Sequence, residues 1–371
     1  MYYPYLNLVG ILQGSEVYIH IGVGFGVARS DCKGNARASK GGTGDRYRTR
    51  AFSFNGFNTF FKICLVGVMQ GIRRNSMKNK KLSTLLIMAT MVLQAHAQFG
   101  GSGSGTENAP YLITNEDELF DVRNNLSAHY KLIADLDLTE WIKDESPKDG
   151  WNPIGNSTTP FSGVFDGNYH TIKGLYINRP TMENSGLFGY LRDGTIKNTA
   201  LINPNIIGKN YVGSIVGNIL LIKEDHNDRY YCNNYVNNNV TLGGSVKGID
   251  KVGGIIGGNN WNDKWYCYGY CSIIGNYASA YIEGNNNVGG IIGLAQCRNY
   301  YYDAGYTYYT VYNFITNNSF HGYLTATGES VGGIVGNITL GTYRSNTTST
   351  YSLDNNIAGG NIFGKKILME L

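Results

Sequence analysis

From residue 126 onward, the apolar residues never form the i, i+3, i+4, i+7 stripe of an amphipathic helix. They come as pairs or alternations, mostly β-branched, with Gly or Asn every five to ten residues. That pattern predicts short β-strands separated by turns. One unit recurs: Tyr211-Val-Gly-Ser-Ile-Val-Gly217, Lys251-Val-Gly-Gly-Ile-Ile-Gly257, Asn287-Val-Gly-Gly-Ile-Ile-Gly293 and Ser330-Val-Gly-Gly-Ile-Val-Gly336. A divergent copy is Ser185-Gly-Leu-Phe-Gly189. From Gly186 through Gly213, Gly253, Gly289 and Gly332 the steps are 27, 40, 36 and 43 residues, a period typical of a solenoid, propeller or array. A second register runs through Asn198, Asn234, Asn276 and Asn318, with a weaker copy at Asn356.

A run as short as Ile-Ile-Gly cannot bury itself. It can do so when each repeat is one coil, stacked so that Ile lies on Ile and Val on Val. Repeated Gly would then serve tight corners with positive φ, and Asn at one place in successive coils could form an amide ladder. A propeller is the alternative, but its blades need four regular strands each, and the steps here are uneven. The expected fold is therefore all-β, a right-handed parallel β-solenoid with a short N-terminal capping helix. Thr114-Asn115-Glu116-Asp117 carries the helix-start signature, leading to a helix ending near Asn124. A strand-like stretch from Tyr130 to Leu138 follows. Such a helix would shield an open sheet edge. At the other end, Gly364 to Leu371 stops part-way through a fifth copy, as expected of a longer natural protein or a broken gene.

Residues 77–97 read differently. Lys78, Lys80 and Lys81 precede an apolar run from Leu82 to Leu93, then Ala95-His96-Ala97 and Gln98. This is the order of a secretory signal peptide, with cleavage between Ala97 and Gln98. A short buried helix or a membrane anchor is the alternative, although twelve residues span only about 18 Å as a helix. Such signals work at an N-terminus, so residues 1–76 are expected to be untranslated, with a start at Met77. A long leader or small basic domain is the other possibility. The segment 1–76 shows no sustained strand or helix period on this reading. The expected organisation is 77–97 signal, 98–150 cap and lead-in, and 151–371 solenoid repeats. The whole chain has a formal charge of +4, but residues 98–371 hold 18 Lys+Arg against 24 Asp+Glu, a net of −6. Nucleic-acid binding thus loses its electrostatic support, and no transmembrane span is expected in the mature chain.

The stretch from Pro160 through Phe165-Asp-Gly-Asn-Tyr-His170 to Ile177, then Gly186-Leu-Phe-Gly189 and the Val-Gly-Gly copies, resembles the GLUG-motif repeat proteins of bacterial surfaces. Tyr111-Leu-Ile-Thr, Tyr130-Lys-Leu and Asp135-Leu-Asp-Leu138 match that family's lead-in, so the likeness covers about residues 105–340. It implies an exported, surface-associated β-solenoid and says little about activity. One setting of the repeat is an accessory region of IgA-cleaving metallopeptidases, whose H-E-x-x-H zinc motif is absent here.

Candidate chemistry is sparse. His129, His170, His226 and His321 are not at metal-ligand spacing, there is no C-x-x-C pair, G-x-S-x-G or P-loop, and neither metal nor cofactor is expected. Asp166 and His170 are the most tempting catalytic pair, yet Asp-Gly-Asn is also a standard turn. Asp135 and Asp137 alternate along a strand, where two carboxylates could bind Ca²⁺ or act as acid and base; solvated strand-face residues are the plainer reading. Cys232, Cys267, Cys271 and Cys297 allow two loop disulfides in an exported chain. Cys267–Cys297 with Cys232–Cys271 is the favoured pairing, and free thiols or metal ligands are the alternative.

The inserted stretches between repeats are rich in aromatic residues: Trp261, Trp265, Tyr266, Tyr268 and Tyr270 in one, Tyr301, Tyr302, Tyr306, Tyr308 and Tyr309 in the next. Occupying one place in successive repeats, they should gather on one side of the solenoid. Aromatic faces among Asn, Asp and Arg suit a sugar-ring or protein-binding surface; rings that merely pack on one another are the alternative. The expected function is a secreted or cell-surface, adhesin-like binding or structural module. Its partner would be a host or environmental glycan or surface protein. The rival is a polysaccharide lyase or glycosidase on the same scaffold, which would need a cluster of carboxylates that thins out after residue 228.

Overall fold

The structure is a computed structural model of the 371-residue chain. It describes residues 2–13, 16–27, 99–146, 148–221, 230–260, 267–302, 307–342, 351–364 and 367–368, with backbone alone at 2–13, 16–27, 230–231, 267–269, 297–302, 307–311, 340–342, 351 and 367–368. The chain divides into two units, Met1–Ser83 and Thr84–Leu371.

The first unit contains an antiparallel hairpin of Tyr2–Gln13 with Glu16–Val27. This corrects the expectation that residues 1–76 lack a strand period. Val17, Ile19, Ile21, Val23, Phe25 and Val27 alternate strictly with Tyr, His and Gly, which is the pattern of a strand.

The second unit is the expected β-solenoid. Its five coils cover residues 164–191, 195–220, 230–260, 267–302 and 307–342, and part of another covers 351–368. Each coil carries up to five strands, as in Thr195–Lys197, Ala200–Ile202, Asn205–Ile207, Asn210–Gly213 and Val216–Leu220. Equivalent strands of successive coils pair in parallel, and the pairing is in register. Ile196 lies beside Val236, Ile273 and Ile315, and Ile177 beside Ile206, Val246, Ile282 and Leu324. The repeat motif supplies two more columns, Val212–Val252–Val288–Val331 and Val216–Ile256–Ile292–Val335. All of these side chains are buried, each contributing on the order of 1.5–3 kcal/mol of transfer free energy.

The corner between the first and second strands is held by an amide ladder. Its rungs are Thr199, Asn239, Asn276, Asn318 and Asn356. Asn276 Oδ1 accepts from the backbone N–H of Asn239 at 3.0 Å and from its Nδ2 at 3.1 Å. Asn276 Nδ2 in turn donates to Val236 O at 2.8 Å and to Asn318 Oδ1 at 3.0 Å. Asn318 repeats the arrangement with Asn356 and Ile273 O. The residue before each rung takes positive φ: Asn198, Asn238, Gly275, Asn317 and Asn355. Two rungs of the expected register are thereby corrected. Asn198 is the left-handed corner residue, and Asn234 lies within the first strand, its Oδ1 accepting from Asp193 N. Asn233-Asn-Tyr-Val-Asn-Asn-Asn239 offers five Asn, and spacing alone cannot select the right one.

The motif glycines also differ from expectation. Positive φ falls instead on Tyr211, Lys251, Asn287 and Ser330, immediately before the Val. A Cβ on Gly253 would run into Ile256 O, Gly293 N and Ile291 O, so this glycine is required by the approach of the next coil's backbone. A Cβ on the second Gly would meet the next coil's carbonyl first and a core side chain second: Gly290 O and Ala278 for Gly254, Gly333 O and Phe320 for Gly290. At the equivalent place Ser214 is tolerated because Thr241 lies opposite, the two hydroxyls 2.6 Å apart.

The N-terminal end is closed by α1 (Glu116–Asp121), extended by a 3₁₀ turn to Asn124, as expected. Its cap is Asn115, whose side chain accepts from Glu118 N, while the Glu118 carboxylate accepts from Thr114. A second helix, α2 (Leu138–Glu145), lies just after the stretch expected to be strand. Its apolar face is Leu138, Trp141 and Ile142, a single i, i+3, i+4 turn with Glu145 at i+7, too short to register as a helical stripe, and it starts on an Asp137 cap that accepts from Thr139 N. Phe120, Trp141 and Trp151 form an aromatic plug at this end, with the Arg123 guanidinium 3.7 Å from the Phe120 ring centroid.

Replacing Asn276 by Ala strands the Asn239 N–H and removes both Nδ2 bonds. The expected loss in unfolding free energy is about 2–4 kcal/mol, against about 0.5 or less for the exposed Asn361→Ala, read from denaturant melts. The Asp137 carboxyl is held down at about 2, chiefly by the Thr139 hydrogen bond and then by Lys173. Because the folded value is depressed, its stabilisation is complete above the unfolded value of about 3.9 and is lost as pH falls through about 2. Thermal melts of Asp137→Asn should therefore lie below wild type near neutral pH and converge with it between about pH 4 and 2.

Candidate binding surface

The inserted stretches begin as extensions of the coil's own strands. The first strand covers three residues in coils one and two, but eight in Tyr230–Asn237 and Cys267–Ile274 and ten in Thr307–Thr316. The fifth strand grows likewise, to Ile292–Tyr302 and Val335–Thr342. Register persists into these extensions, with Tyr230 beside Cys267, Gly269 beside Val311, and Gln296 beside Thr339. Between coils four and five the excursion folds back antiparallel, pairing Tyr300 with Tyr309 and Tyr301 with Tyr308.

Where first and fifth strands pass each other, the seam is polar and buried. Asn259 Nδ2 donates to Asn313 Oδ1 at 3.0 Å, Asn313 Nδ2 donates to Gln296 O at 3.0 Å, and Asn234 Nδ2 reaches Leu220 O at 3.5 Å. Asn234, Asn259 and Asn313 are fully buried. Unpaired amides there would cost on the order of 1–3 kcal/mol each, so the bonds fix how the extensions leave the coil.

Of the expected aromatic residues, Trp261, Trp265, Tyr266 and Tyr306 lie outside the described residues. Tyr268, Tyr301, Tyr302, Tyr308 and Tyr309 are placed on extended strands by their backbones. Tyr270 is 41% exposed and points away from the core, next to the buried Cys271 on its strand. Its ring stacks on Tyr312 (5.2 Å, 16°) and lies 6.2 Å from Phe314 at 15°. These faces cover one another and leave the edges to solvent. The sequence reading did not select Tyr312 or Phe314. Nor did it select a second outward set, in which Tyr277 stacks on His321 at 5.8 Å and Tyr281 pairs in register with Tyr323. The available signal was alternation: each lies one residue from a buried column member such as Ile282 or Leu324.

The candidate polar pairs have other partners. His170 Nδ1 lies 3.2 Å from Asp135. Asp166 accepts from Asn168 N and Asn198 Nδ2 and sits 3.4 Å from the Lys197 ammonium, a turn-and-ladder role. Asp135 also accepts from Thr171 N, which holds its carboxyl below the usual range, with His170 adding to the effect. Asp137 caps α2 and pairs with Lys173 at 3.0 Å. Among the described residues, no three His, Cys, Asp or Glu gather as a metal site.

Cys232 and Cys271 are buried on adjacent first strands, opposite Gly269 and Asn234 respectively. Cys267 begins its strand, and Cys297 lies in a fifth strand beside Leu340. The segment 77–97, expected to be a signal peptide, lies outside the described residues, as does Gln98. No described helix is long and apolar enough to cross a membrane, which does not bear on β-barrels.

The chain is similar over 163 residues, at 34% identity, to halomucin of Haloquadratum walsbyi; this covers 42% of the chain and 2% of halomucin. Over 131 residues it is 36% identical to a putative Gly-rich membrane protein of Evansella cellulosilytica, covering 34% of the chain and 15% of that protein. The chain thus matches only a small part of each relative's length. No protein-family model and no solved structure matches it.

Packing in the Tyr270 stack is separable from any surface role. Tyr270→Ala should lower unfolding free energy by about 1 kcal/mol, whereas Tyr270→Phe should leave it nearly unchanged; paired urea melts provide the check.

Proposed function

We propose that this chain is an exported, surface-exposed repeat protein of the GLUG type, acting as an adhesin-like binding or structural module. The observation that carries this reading is the set of aromatic-rich strand extensions that leave coils three to five in register. They place runs of Tyr, a residue of large contact area and low entropic cost, on strands of one scaffold. The amide ladder and the parallel pairing keep that array fixed, which limits the entropy lost on binding. Sugar rings and protein surfaces both suit such an array, and a host or environmental glycan is the favoured partner.

Surface placement is supported by the leader-like segment 77–97 and by the name of one relative, a Gly-rich membrane protein. Against a lyase or glycosidase, Asp135, Asp137 and Asp166 each hold backbone N–H groups and have a His or Lys neighbour.

A glycan array probed with the full chain tests the binding role. Specific signals that fall about tenfold or more in Trp261→Ala and Trp265→Ala are expected, each removing a large aromatic contact. Absence of signal, or signal indifferent to both substitutions, removes the aromatic extensions as a glycan site. Peptide mapping of the secreted product should begin at Gln98, and any peptide from residues 1–76 counts against a start at Met77.

A further inference from the structure

A different face of the solenoid carries a continuous outward column that the aromatic extensions do not share. In the third strand of each coil the outward residues are Tyr176, Asn205, Ser245, Tyr281 and Tyr323, paired directly one beside the next. Adjacent strands are about 4.8 Å apart, so the column runs about 19 Å along the axis. At the cap end it opens into a groove of about 360 Å³ between α2 and the sheet. Thr139, Lys143, Leu175 and Asn203 line that groove together with Tyr176 and Asn205.

We infer that this column is a binding track for a linear, uncharged polysaccharide, walled by α2 at one end. On the outer face of these coils Tyr281 is 38% and Tyr323 57% exposed. Between those rings and Tyr176 stand only an amide and a hydroxyl, with Ser245 Oγ donating to Asn205 Oδ1 at 3.1 Å. Aromatic rings on either side of a short amide and hydroxyl match the apolar faces and hydroxyl edges of sugars. The strand spacing is also close to the advance per residue of an extended sugar chain, so successive sugars meet equivalent places.

The charges on this face argue against other occupants. Lys143 is paired with Glu140 at 2.6 Å. Lys247 is paired with Glu283 at 2.8 Å and lies 5.3 Å from the centre of the Tyr281 ring. A nucleic acid or acidic polymer would require unpaired cations. An added peptide strand would require a free backbone edge, but the interior strands of this face are paired on both sides. The track shares its ligand class with the reading above, but none of its residues.

The test is affinity gel electrophoresis of the full chain in gels cast with arabinoxylan, mixed-linkage β-glucan or galactomannan, with heparin as the acidic probe. At least one neutral polymer should retard the protein. Tyr281→Ala/Tyr323→Ala should weaken that retardation about tenfold or more, and Tyr281→Phe/Tyr323→Phe should retain it. Should the double Ala variant not fold, Asn205→Arg, which adds bulk at an exposed point of the same column, makes the same test. Retardation by heparin alone, none by any neutral polymer, or retardation that persists in the track variants overturns the track. Loss in Trp261→Ala with the track variants unaffected would keep the extensions as the site and remove the track; the converse would keep the track alone.

Discussion

Each coil must turn sharply between its first and second strands, and at that corner the backbone is buried where water cannot reach it. The N–H of one coil has no neighbour within its own coil. The next coil's Asn amide supplies the missing acceptor, and its NH₂ is consumed by a carbonyl of the coil before. The rest of the architecture depends on this reciprocal bond. It sets the vertical distance between coils, which brings Ile over Ile and Val over Val. Glycine is forced at Gly253 and Gly289, because nothing larger than hydrogen fits between the carbonyl of the coil's own next strand and the backbone of the following coil. The left-handed residue before each rung completes the turn. Asn suits it well, since a short polar side chain tolerates that conformation.

Much of this was legible from residue order. Four near-identical motifs at intervals of 36–43 residues leave few alternatives to a stacked coil. The Asn column was visible as a type of residue but not as an exact register. Asn198, Asn238 and Asn239 are chemically alike, and only the fold decides which is corner and which is rung. The opposite problem hid α2. One apolar turn of Leu138, Trp141 and Ile142 with an Asp cap is enough when Trp141 can pack on the Trp151 ring, a tertiary contact that no local pattern reports. The hairpin of the first unit was not expected although its second strand alternates strictly, because the leader-like segment at 77–97 put the expected start of translation after it.

The aromatic residues illustrate a further division. Residues pointing inward are constrained by the column above and below, so each is predictable from its counterpart in the next repeat. Outward positions have no such constraint: the place filled by Tyr281 is Ser245 in the coil before and Tyr323 in the coil after. The scaffold fixes where a side chain projects and leaves its chemistry open. Surface function on such a fold is therefore written in columns read along the axis. Nearness along the chain marks the Tyr and Trp of the extensions; the columns join residues some 36–42 positions apart and leave no such mark.

That each coil touches chiefly its immediate neighbours has a mechanical side. Pulled from its two ends, such a stack presents its ladder bonds to the load a coil at a time. The molecule would yield in successive steps, each releasing about 40 residues of slack. The coils beyond the break keep their shape and their outward columns. A protein stretched between a cell and a surface would thus lengthen under a sudden pull and dissipate it, without surrendering all of its contacts at once.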